Sequence, residues 1–163
     1  MQLSLHSDYA LRVLIYLGTH PGELRSTAQI SQAYGISKNH LVRVVQTLDA
    51  HGYVEVFPGR SGGVRLASDP AGIRLGDVVR KVEPNLGLVE CFDRATNTCP
   101  IIDSSGLKSY LSEALRAFLD SLNEHTLADL LTAGRRSKLA SVFVQVQRRP
   151  PGRSRNTPKP VAQ

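Results

Sequence analysis

The fold is decided by the stretch from 34 to 42, which reads Tyr34-Gly35-Ile36-Ser37-Lys38-Asn39-His40-Leu41-Val42. Gly35 is typical of the residue that ends a helix, because glycine adopts a left-handed conformation without strain. Ser37 is a typical N-cap, because its hydroxyl accepts a hydrogen bond from a free backbone N–H group. The stretch therefore predicts two helices joined by a three- to four-residue connection, the geometry of a helix-turn-helix motif.

The helices on either side of this connection follow from apolar spacing. Upstream, Ser26 or Thr27 is expected to cap a short helix that ends at Gly35. Downstream, the third helix has inward residues at helical spacing: Leu41, Val44, Val45 and Leu48. An earlier helix precedes both, with Ser7 as the expected N-cap and Asp8 in its first turn, and it stops before Pro21-Gly22.

A hairpin is predicted directly after the third helix. Residues 53–57 (Tyr-Val-Glu-Val-Phe) alternate as a strand does, residues 58–63 read as a turn, and Val64-Arg65-Leu66 reads as the returning strand. Helix, turn, helix and hairpin in this order make a winged helix. The expected fold is mainly α, a winged helix-turn-helix with a small β-hairpin wing.

The outer face of the third helix is rich in groups that bind phosphates or base edges when a helix enters a major groove. The candidate DNA-binding residues there are Ser37, Lys38, Asn39, His40 and Arg43. At the hairpin tip, Arg60 is a candidate for a minor groove, beside Gly62 and Gly63, where backbone can approach closely. Each feature alone is typical of a solvated helix face or an ordinary turn, and only their combination favours DNA binding.

A long helix is predicted after Gly106, with a continuous apolar stripe over about four turns. The stripe consists of Leu107, Leu111, Ala114, Leu115, Phe118 and Leu122. We expect it to pack against the same helix of a second copy across a two-fold axis. The alternative is that the stripe covers the winged helix within one monomer. A shorter helix is predicted at 74–83 and another after a capping box that begins at Thr126.

The net charge of +6 comes from the C-terminal tail. Residues 135–163 carry eight basic and no acidic side chains, whereas residues 1–134 carry 12 basic and 14 acidic ones. We expect this tail to be disordered, with weak nonspecific affinity for nucleic acid. No apolar run approaches the roughly 20 residues that span a bilayer, and no secretory signal is evident. A cytoplasmic protein without a membrane partner is expected.

Both cysteines of the chain, Cys91 and Cys99, lie in a polar loop between two predicted helices. In an unexported chain they indicate thiol or metal chemistry more than a structural disulfide. Two thiolates are half of the usual four-ligand shell of zinc or an iron-sulfur cluster, so further ligands are needed. An enzyme is disfavoured, because the five histidines form no metal spacing and neither cysteine has an evident base beside it.

The N-terminal segment, the 34–42 stretch, the wing and the cysteine loop together resemble the iron-sulfur winged-helix regulators, which include NsrR, RirA and IscR. Within that family, His6-Ser7-Asp8-Tyr9-Ala10-Leu11-Arg12 resembles the opening of the NsrR-like nitric-oxide-sensing repressors. The resemblance covers about residues 1–134. It implies a homodimeric repressor that binds a palindromic operator in double-stranded DNA, with nitric oxide as its signal.

The resemblance also implies an iron-sulfur cluster, 2Fe-2S or 4Fe-4S, held by three loop cysteines and by an aspartate from the partner's first helix. Cys91 and Cys99 match the first two cysteines, and Asp8 matches the aspartate. The third position holds Ser105, whose hydroxyl is a much poorer iron ligand than a thiolate. The serine is either an introduced replacement or native, with Ser105, Asp103, Asp93 or Glu90 as an oxygen ligand.

The implied organisation is a winged-helix DNA-binding domain at 1–83, a cluster-binding loop at 84–106, a dimerisation helix with a short last helix at 107–134, and the basic tail at 135–163.

Two rival functions stay open. One is a cluster-free redox switch in which Cys91 and Cys99 form a disulfide, which needs a Cα separation of about 4.4 to 6.8 Å. The other is a protein-interaction module with no operator.

Overall fold

The structure, a computed structural model, describes residues 2–89, 92, 98 and 106–147. Within these residues the fold is mainly α, with one small two-stranded sheet. The elements in chain order are α1 (Leu5–Gly18), α2 (Thr27–Tyr34), α3 (Lys38–Ala50), β1 (Val54–Phe57), β2 (Gly63–Leu66), a 3₁₀ turn (Pro70–Gly72), α4 (Leu75–Val82), α5 (Leu107–Asn123), α6 (Leu127–Leu130) and α7 (Ala133–Gln147).

The helix-turn-helix forms where the sequence predicts it. Ser26 caps α2 through a complete capping box with Gln29, and Gly35 ends α2 with a φ of 68°. Ser37 then caps α3 by accepting a hydrogen bond from the backbone N–H of His40, at 3.4 Å. These local hydrogen bonds determine the turn between the two helices, and they orient α3.

Helix α1 begins earlier than predicted. Its N-cap is Ser4, whose hydroxyl oxygen accepts a hydrogen bond from the backbone N–H of Ser7 at 3.3 Å. The prediction that Ser7 is the cap is wrong, because Ser7 is fully buried inside the first turn. Asp8 lies in that turn as expected.

The core is built by α1, α2, α3, the wing and α4, and it also takes in the chain after α5. The predicted inward residues of α3, Leu41, Val44, Val45 and Leu48, are all buried. Leu127 of α6 and Leu131 belong to the same core as Leu14 and Leu17 of α1. The segment after α5 therefore returns to the winged helix.

The wing pairs antiparallel, with Val54 opposite Leu66 and Phe57 opposite Gly63. An additional bridge joins Val64 to Arg25, just before α2, through backbone hydrogen bonds of 2.9 Å in both directions. A Cβ atom on Gly63 would lie about 3.0 Å from the Arg25 backbone. Glycine at this position thus allows the wing to be fastened to the base of the helix-turn-helix.

Helix α5 crosses α4 at Gly76, where a Cβ atom would overlap the backbone carbonyl of Leu119. The Asn123 amide completes the crossing: it accepts from the Asp77 N–H at 2.8 Å and donates to the Asp77 carboxylate at 2.9 Å. Among the described residues of α5, Leu119 alone is buried. Leu119 was not in the predicted stripe.

The predicted apolar stripe of α5 is incompletely covered within one chain. Leu107 is 49% exposed and Tyr110, beside it, is 70% exposed. The stripe members Leu111, Leu115, Phe118 and Leu122 are half-buried. Burying such a surface is favourable at about 25 cal/mol per Å², so the stripe remains a candidate contact surface.

The prediction of a disordered tail from residue 135 is wrong for residues 135–147, which belong to α7. Phe143 of α7 is 4% exposed and packs between two tyrosines. Its ring centroid lies 5.0 Å from that of Tyr16 and 5.3 Å from that of Tyr34. Tertiary burial of one aromatic side chain outweighs the basic composition from which disorder was expected. Residues 148–163 lie outside the described part of the chain.

Candidate DNA-binding surface and cluster ligands

The outer face of α3 is a continuous polar surface. Ser37, Lys38, Asn39, His40 and Arg43 are all exposed, whereas the opposite face of the helix is core. Within the described residues, no carboxylate lies within ion-pair distance of Lys38 or Arg43. Both cations are therefore available to an anionic ligand. Ser37 already uses its oxygen as the α3 cap, so its hydroxyl proton is the group that remains to be donated.

At the wing tip, Arg60 is exposed. Gly62 is required by the hairpin itself, because a Cβ atom there would overlap the backbone carbonyl of Phe57. Gly62 donates its N–H to the Gly59 carbonyl at 3.1 Å, and Gly59 has a φ of 102°. Gly62 and Gly63, which the sequence suggested for DNA contact, are thus needed because other backbone segments of the same chain pack closely against them.

The wing is stiffened by Arg65, which the sequence analysis did not single out. Its guanidinium pairs with Glu55 on the opposite strand, with N–O distances of 2.9 and 3.0 Å. It also lies over the Phe57 ring, 4.8 Å from the centroid. The sequence signal for this pair is two opposite charges that face each other on neighbouring strands, since Glu55 and Arg65 are register partners.

Besides the core residues, the side chains of His6 and Tyr9 in α1 lie against α3. His6 Nε2 lies 3.1 Å from Thr47 Oγ1, and the centroids of the Tyr9 and His40 rings are 6.2 Å apart. Thr47 donates its hydroxyl proton to the Arg43 carbonyl, so it accepts the proton of His6 Nε2. His6 and Tyr9 stand on either side of Asp8 in the chain. A displacement of the first turn of α1 would therefore act on the helix that carries the polar surface.

Asp8 is 40% exposed and forms a two-point ion pair with Arg12, one turn later in α1, at 2.7 and 3.0 Å. Such exposed pairs contribute at most about 1 kcal/mol, so the carboxylate can exchange this partner at little cost. The Arg12 guanidinium also lies 5.9 Å from the centre of the Tyr34 ring. Burial raises the pKa of the Tyr34 hydroxyl, and the Arg12 charge opposes that rise.

The loop candidates Cys91, Cys99 and Ser105 lie outside the described residues, as do Glu90, Asp93 and Asp103. Among the described residues, no three His, Cys, Asp or Glu side chains cluster closely enough to hold a metal ion. A cluster at Asp8 therefore needs ligands from the loop. The donor set fits an iron-sulfur cluster with one weak position: two thiolates, an accessible carboxylate and a serine hydroxyl.

The end of α4, just before the loop, is held against α1 of the same chain. The Glu83 carboxylate accepts hydrogen bonds from the Ser4 backbone N–H at 3.0 Å and from the Ser4 hydroxyl at 3.1 Å. Partial burial would raise the pKa of Glu83, but hydrogen bonds from Ser7 and Ser4 hold it below its ordinary value. Next to this contact is a cavity of about 150 Å³, lined in part by Leu115 and Phe118 of the α5 stripe.

Comparison with known proteins gives the family. Residues 3–133 match the model of the Rrf2 family, described as iron-dependent transcriptional regulators. The chain belongs to the Rrf2 family. Its relatives are regulators of transcription, a class that is not enzymatic, in agreement with the sequence analysis. None of the described helices has the length and apolar character needed to cross a lipid bilayer.

Individual Rrf2 relatives support the resemblance to NsrR-like repressors. The chain is 50% identical over 132 residues to the HTH-type transcriptional regulator NsrR of Bacillus subtilis, a match that covers 80% of this chain and 90% of the relative. It is 47% identical over 133 residues to the NsrR regulator of Halalkalibacterium halodurans, covering 81% of this chain and 91% of the relative.

Solved Rrf2-type structures support the winged-helix fold. The chain superposes on IscR of T. potens with a TM-score of 0.66 and 25% identity, covering 85% of this chain and 91% of that one. It superposes on CymR, the global cysteine regulator of B. subtilis, with a TM-score of 0.62 and 26% identity, covering 80% and 95%. The family match ends at residue 133, the first residue of α7, so the rest of that helix lies beyond the match.

Proposed function

We propose that the protein is a cytoplasmic, homodimeric transcriptional repressor that binds a palindromic operator in double-stranded DNA. The observation that carries this proposal is the polar outer face of α3, with Lys38 and Arg43 exposed beside Asn39 and His40, on a helix whose other face is core. In the proposed complex α3 enters the major groove, and Arg60 of the wing reaches the adjacent minor groove.

The apolar stripe of α5 supports the proposed dimer. In one chain Leu107 and Ala114 are exposed, as is Tyr110 beside them, and the other stripe residues are half-buried. Pairing with a second copy would therefore remove apolar surface from water. A two-fold dimer presents two copies of α3. We expect their centres to be about 34 to 36 Å apart, one turn of DNA, which matches a palindromic operator.

We further propose that the dimer carries an iron-sulfur cluster in each subunit, of the 2Fe-2S or 4Fe-4S type. Its ligands would be Cys91 and Cys99 from one chain and Asp8 of the partner subunit, with Ser105 as a weak fourth donor. The similarity to NsrR and IscR regulators and the exposure of Asp8 support this assignment. When bound, the cluster would supply iron that reacts with nitric oxide.

The contacts of α1 support a route from this site to DNA. When Asp8 serves as a ligand of the partner's loop, its two contacts with Arg12 must loosen; when it is released, Arg12 is within reach to bind it again. Because His6 and Tyr9 contact Thr47 and His40, a shift of α1 changes the setting of α3. Nitric oxide would thereby control operator affinity.

The cluster assignment is tested by the absorption spectrum of anaerobically purified protein, measured beside that of the Ser105→Cys variant. Visible absorption from both proteins is expected if an oxygen ligand suffices, and absorption from the variant alone if the chain is a ligand-deficient form. Absence of absorption from both proteins, with two thiols titratable, would contradict the assignment.

Selection of duplexes from a random pool tests operator binding, and failure to enrich any sequence would contradict the repressor function.

A further inference from the structure

A cavity of about 310 Å³ lies where the end of α1, the segment after the wing and the start of α7 meet. Its volume is at the lower end of the range of small-molecule sites, about 300 to 1,000 Å³. Leu17 and Leu66 contribute apolar wall, whereas His20, Asp69 and Arg136 are polar. No described residue that lines this cavity is a candidate for DNA contact or for the cluster, so the cavity is separate from the sites described above.

Arg136, in the first turn of α7, is half-buried in the wall of this cavity and pairs with no carboxylate among the described residues. Its Nε is buried, and no oxygen in the described part of the chain accepts its proton. The neighbouring Arg135, by contrast, donates to the backbone carbonyl of Asp129 at 2.6 Å. A buried donor without an acceptor is unfavourable. An anionic group in the cavity would remove this penalty, and a carboxylate can accept two guanidinium N–H groups at once.

Asp69 brings the opposite charge to the same cavity. Its Oδ1 accepts a hydrogen bond from the Ala71 N–H at 2.8 Å, as the cap of the 3₁₀ turn, and Oδ2 remains for another donor. Asp69 and Arg136 form no ion pair with each other, although both are described residues that line the cavity. A ligand that carries both a negative and a positive charge can therefore satisfy the two side chains separately.

His20 adds a hydrogen-bond acceptor to the cavity. Its Nδ1 lies 2.9 Å from the Tyr16 carbonyl oxygen, which can only accept, so Nδ1 carries a proton. Its ring also packs on that of Tyr16, with the centroids 4.7 Å apart. In the neutral imidazole Nε2 is then an acceptor, and within the described ranges it has no hydrogen-bond partner. An ammonium group in the cavity could donate to it.

We propose that this cavity binds a small zwitterion, an α-amino acid with an apolar side chain. The carboxylate of the ligand pairs with Arg136, and its ammonium group donates to Asp69 and His20. Its side chain lies against Leu17 and Leu66, which removes apolar surface from water. A carboxylate without an ammonium group would leave Asp69 unpaired beside a second negative charge, and a phosphate would add a larger negative charge there.

The site goes beyond the proposed function, since ligand binding needs neither DNA nor a cluster. The match to the Rrf2 model ends at residue 133, so the cation of the site comes from the part of α7 outside that match. Failure of the site would therefore leave the proposed repressor function standing, and failure of operator binding would leave the site standing.

The test measures ligand binding to the full-length protein by saturation-transfer NMR titration, with L-leucine as the probe. Three smaller or simpler molecules each lack one feature of leucine: 4-methylpentanoate has no ammonium group, 3-methylbutylamine has no carboxylate, and glycine has no side chain. L-Leucine is expected to bind with a Kd of about 1 mM or below. Each of the other three should bind at least about tenfold more weakly, because a charged partner or the apolar wall is left unsatisfied.

Three variants locate the site on the protein. Arg136→Gln and Asp69→Asn should each weaken leucine binding at least about tenfold, and Asn keeps the oxygen that caps the 3₁₀ turn. Lys138→Gln is the matched control, because Lys138 is an exposed cation of the same helix that does not line the cavity. It should leave the Kd of leucine unchanged. Melting curves without ligand show whether each variant is folded.

A Kd for L-leucine above about 10 mM would overturn the site. Equal effects of Lys138→Gln and Arg136→Gln would also overturn it, because they would indicate a nonspecific effect of charge. Equal affinities for L-leucine and 4-methylpentanoate would refute the zwitterion in favour of an organic anion. The comparison of leucine with the other three molecules uses the unchanged chain, so it decides the proposal even if a variant fails to fold.

Discussion

Replacement of Phe143 by Ala should destabilise the whole domain, although Phe143 lies on α7, the last helix of the described part of the chain. The side chain is 4% exposed, and its ring contacts those of Tyr16 and Tyr34 at centroid distances of 5.0 and 5.3 Å. Phe→Ala substitutions in a core cost about 3 to 5 kcal/mol, including the cavity that is left. We expect the low end of this range, about 3 kcal/mol, because Phe143 is the one buried side chain among the described residues of α7 and the helix can relax toward the space that it leaves.

The assay is urea denaturation followed by far-ultraviolet circular dichroism, with Val144→Ala as the matched control. Val144 is the next residue of α7 and is 47% exposed, so its truncation should change the free energy of unfolding by less than about 0.5 kcal/mol. For a domain of this size, about 3 kcal/mol corresponds to a fall in Tm of roughly 6 to 12 °C. Equal stabilities of the two variants would refute the packing of α7 onto α1 and α2.

Three further predictions concern other parts of the molecule. Gly76→Ala places a methyl group against the backbone of α5 and should cost about 1 to 3 kcal/mol of stability, whereas Gly72→Ala, with open space around it, should be neutral in the same melts. The Glu83 carboxylate stabilises the fold at pH values above the ordinary glutamate pKa of about 4.3, and this stability is lost as the pH falls through the lower pKa of the folded state. Glu83→Gln should remove this contribution, so the stability of the variant should depend less on pH. Equal pH profiles of the two melts would contradict this. Arg43→Ala should weaken operator binding by about 1 to 3 kcal/mol with an unchanged melting curve, and undiminished affinity would remove Arg43 from the interface.

The parts of the fold that were predictable from sequence are those determined by local hydrogen bonds. Ser26, Gly35 and Ser37 act as caps within a few residues of their partners, so their roles follow from residue type and order. The choice between Ser4 and Ser7 was not predictable in this way. Both are good N-caps, and Ser4 is favoured by a hydrogen bond with Glu83, 79 residues away in the chain.

The formation of helix α7 and the packing of α5 on α4 depend on contacts between residues that are far apart in the sequence. The basic composition after residue 134 indicated disorder, but Phe143 packs against the rings of Tyr16 in α1 and Tyr34 in α2. In α5 the stripe from Leu107 was correctly placed on a helix, whereas its buried residue is Leu119, selected by the absence of a side chain at Gly76. Such pairings are set by three-dimensional packing, which periodicity alone does not contain.

In the candidate site, too, the features set by local sequence were predictable and those set by long-range contacts were not. The polar face of α3 was predictable, because its residues alternate with buried ones at helical spacing. The contact of His6 with Thr47 joins residues 41 positions apart, and no local pattern marks it. Yet this contact, with that of Tyr9 and His40, is what relates Asp8 to the helix proposed to read DNA.

The proposed control of operator affinity depends on a cluster held by Cys91, Cys99 and the partner's Asp8. Its most direct test measures the affinity of anaerobically purified protein for a selected operator in three states: with the cluster, after nitric oxide, and after removal of the iron. Allosteric coupling of about 1 to 3 kcal/mol corresponds to a change of 5- to 150-fold. We predict that binding is at least about tenfold tighter with the cluster than after nitric oxide or without iron. Equal affinity in all three states would contradict the account.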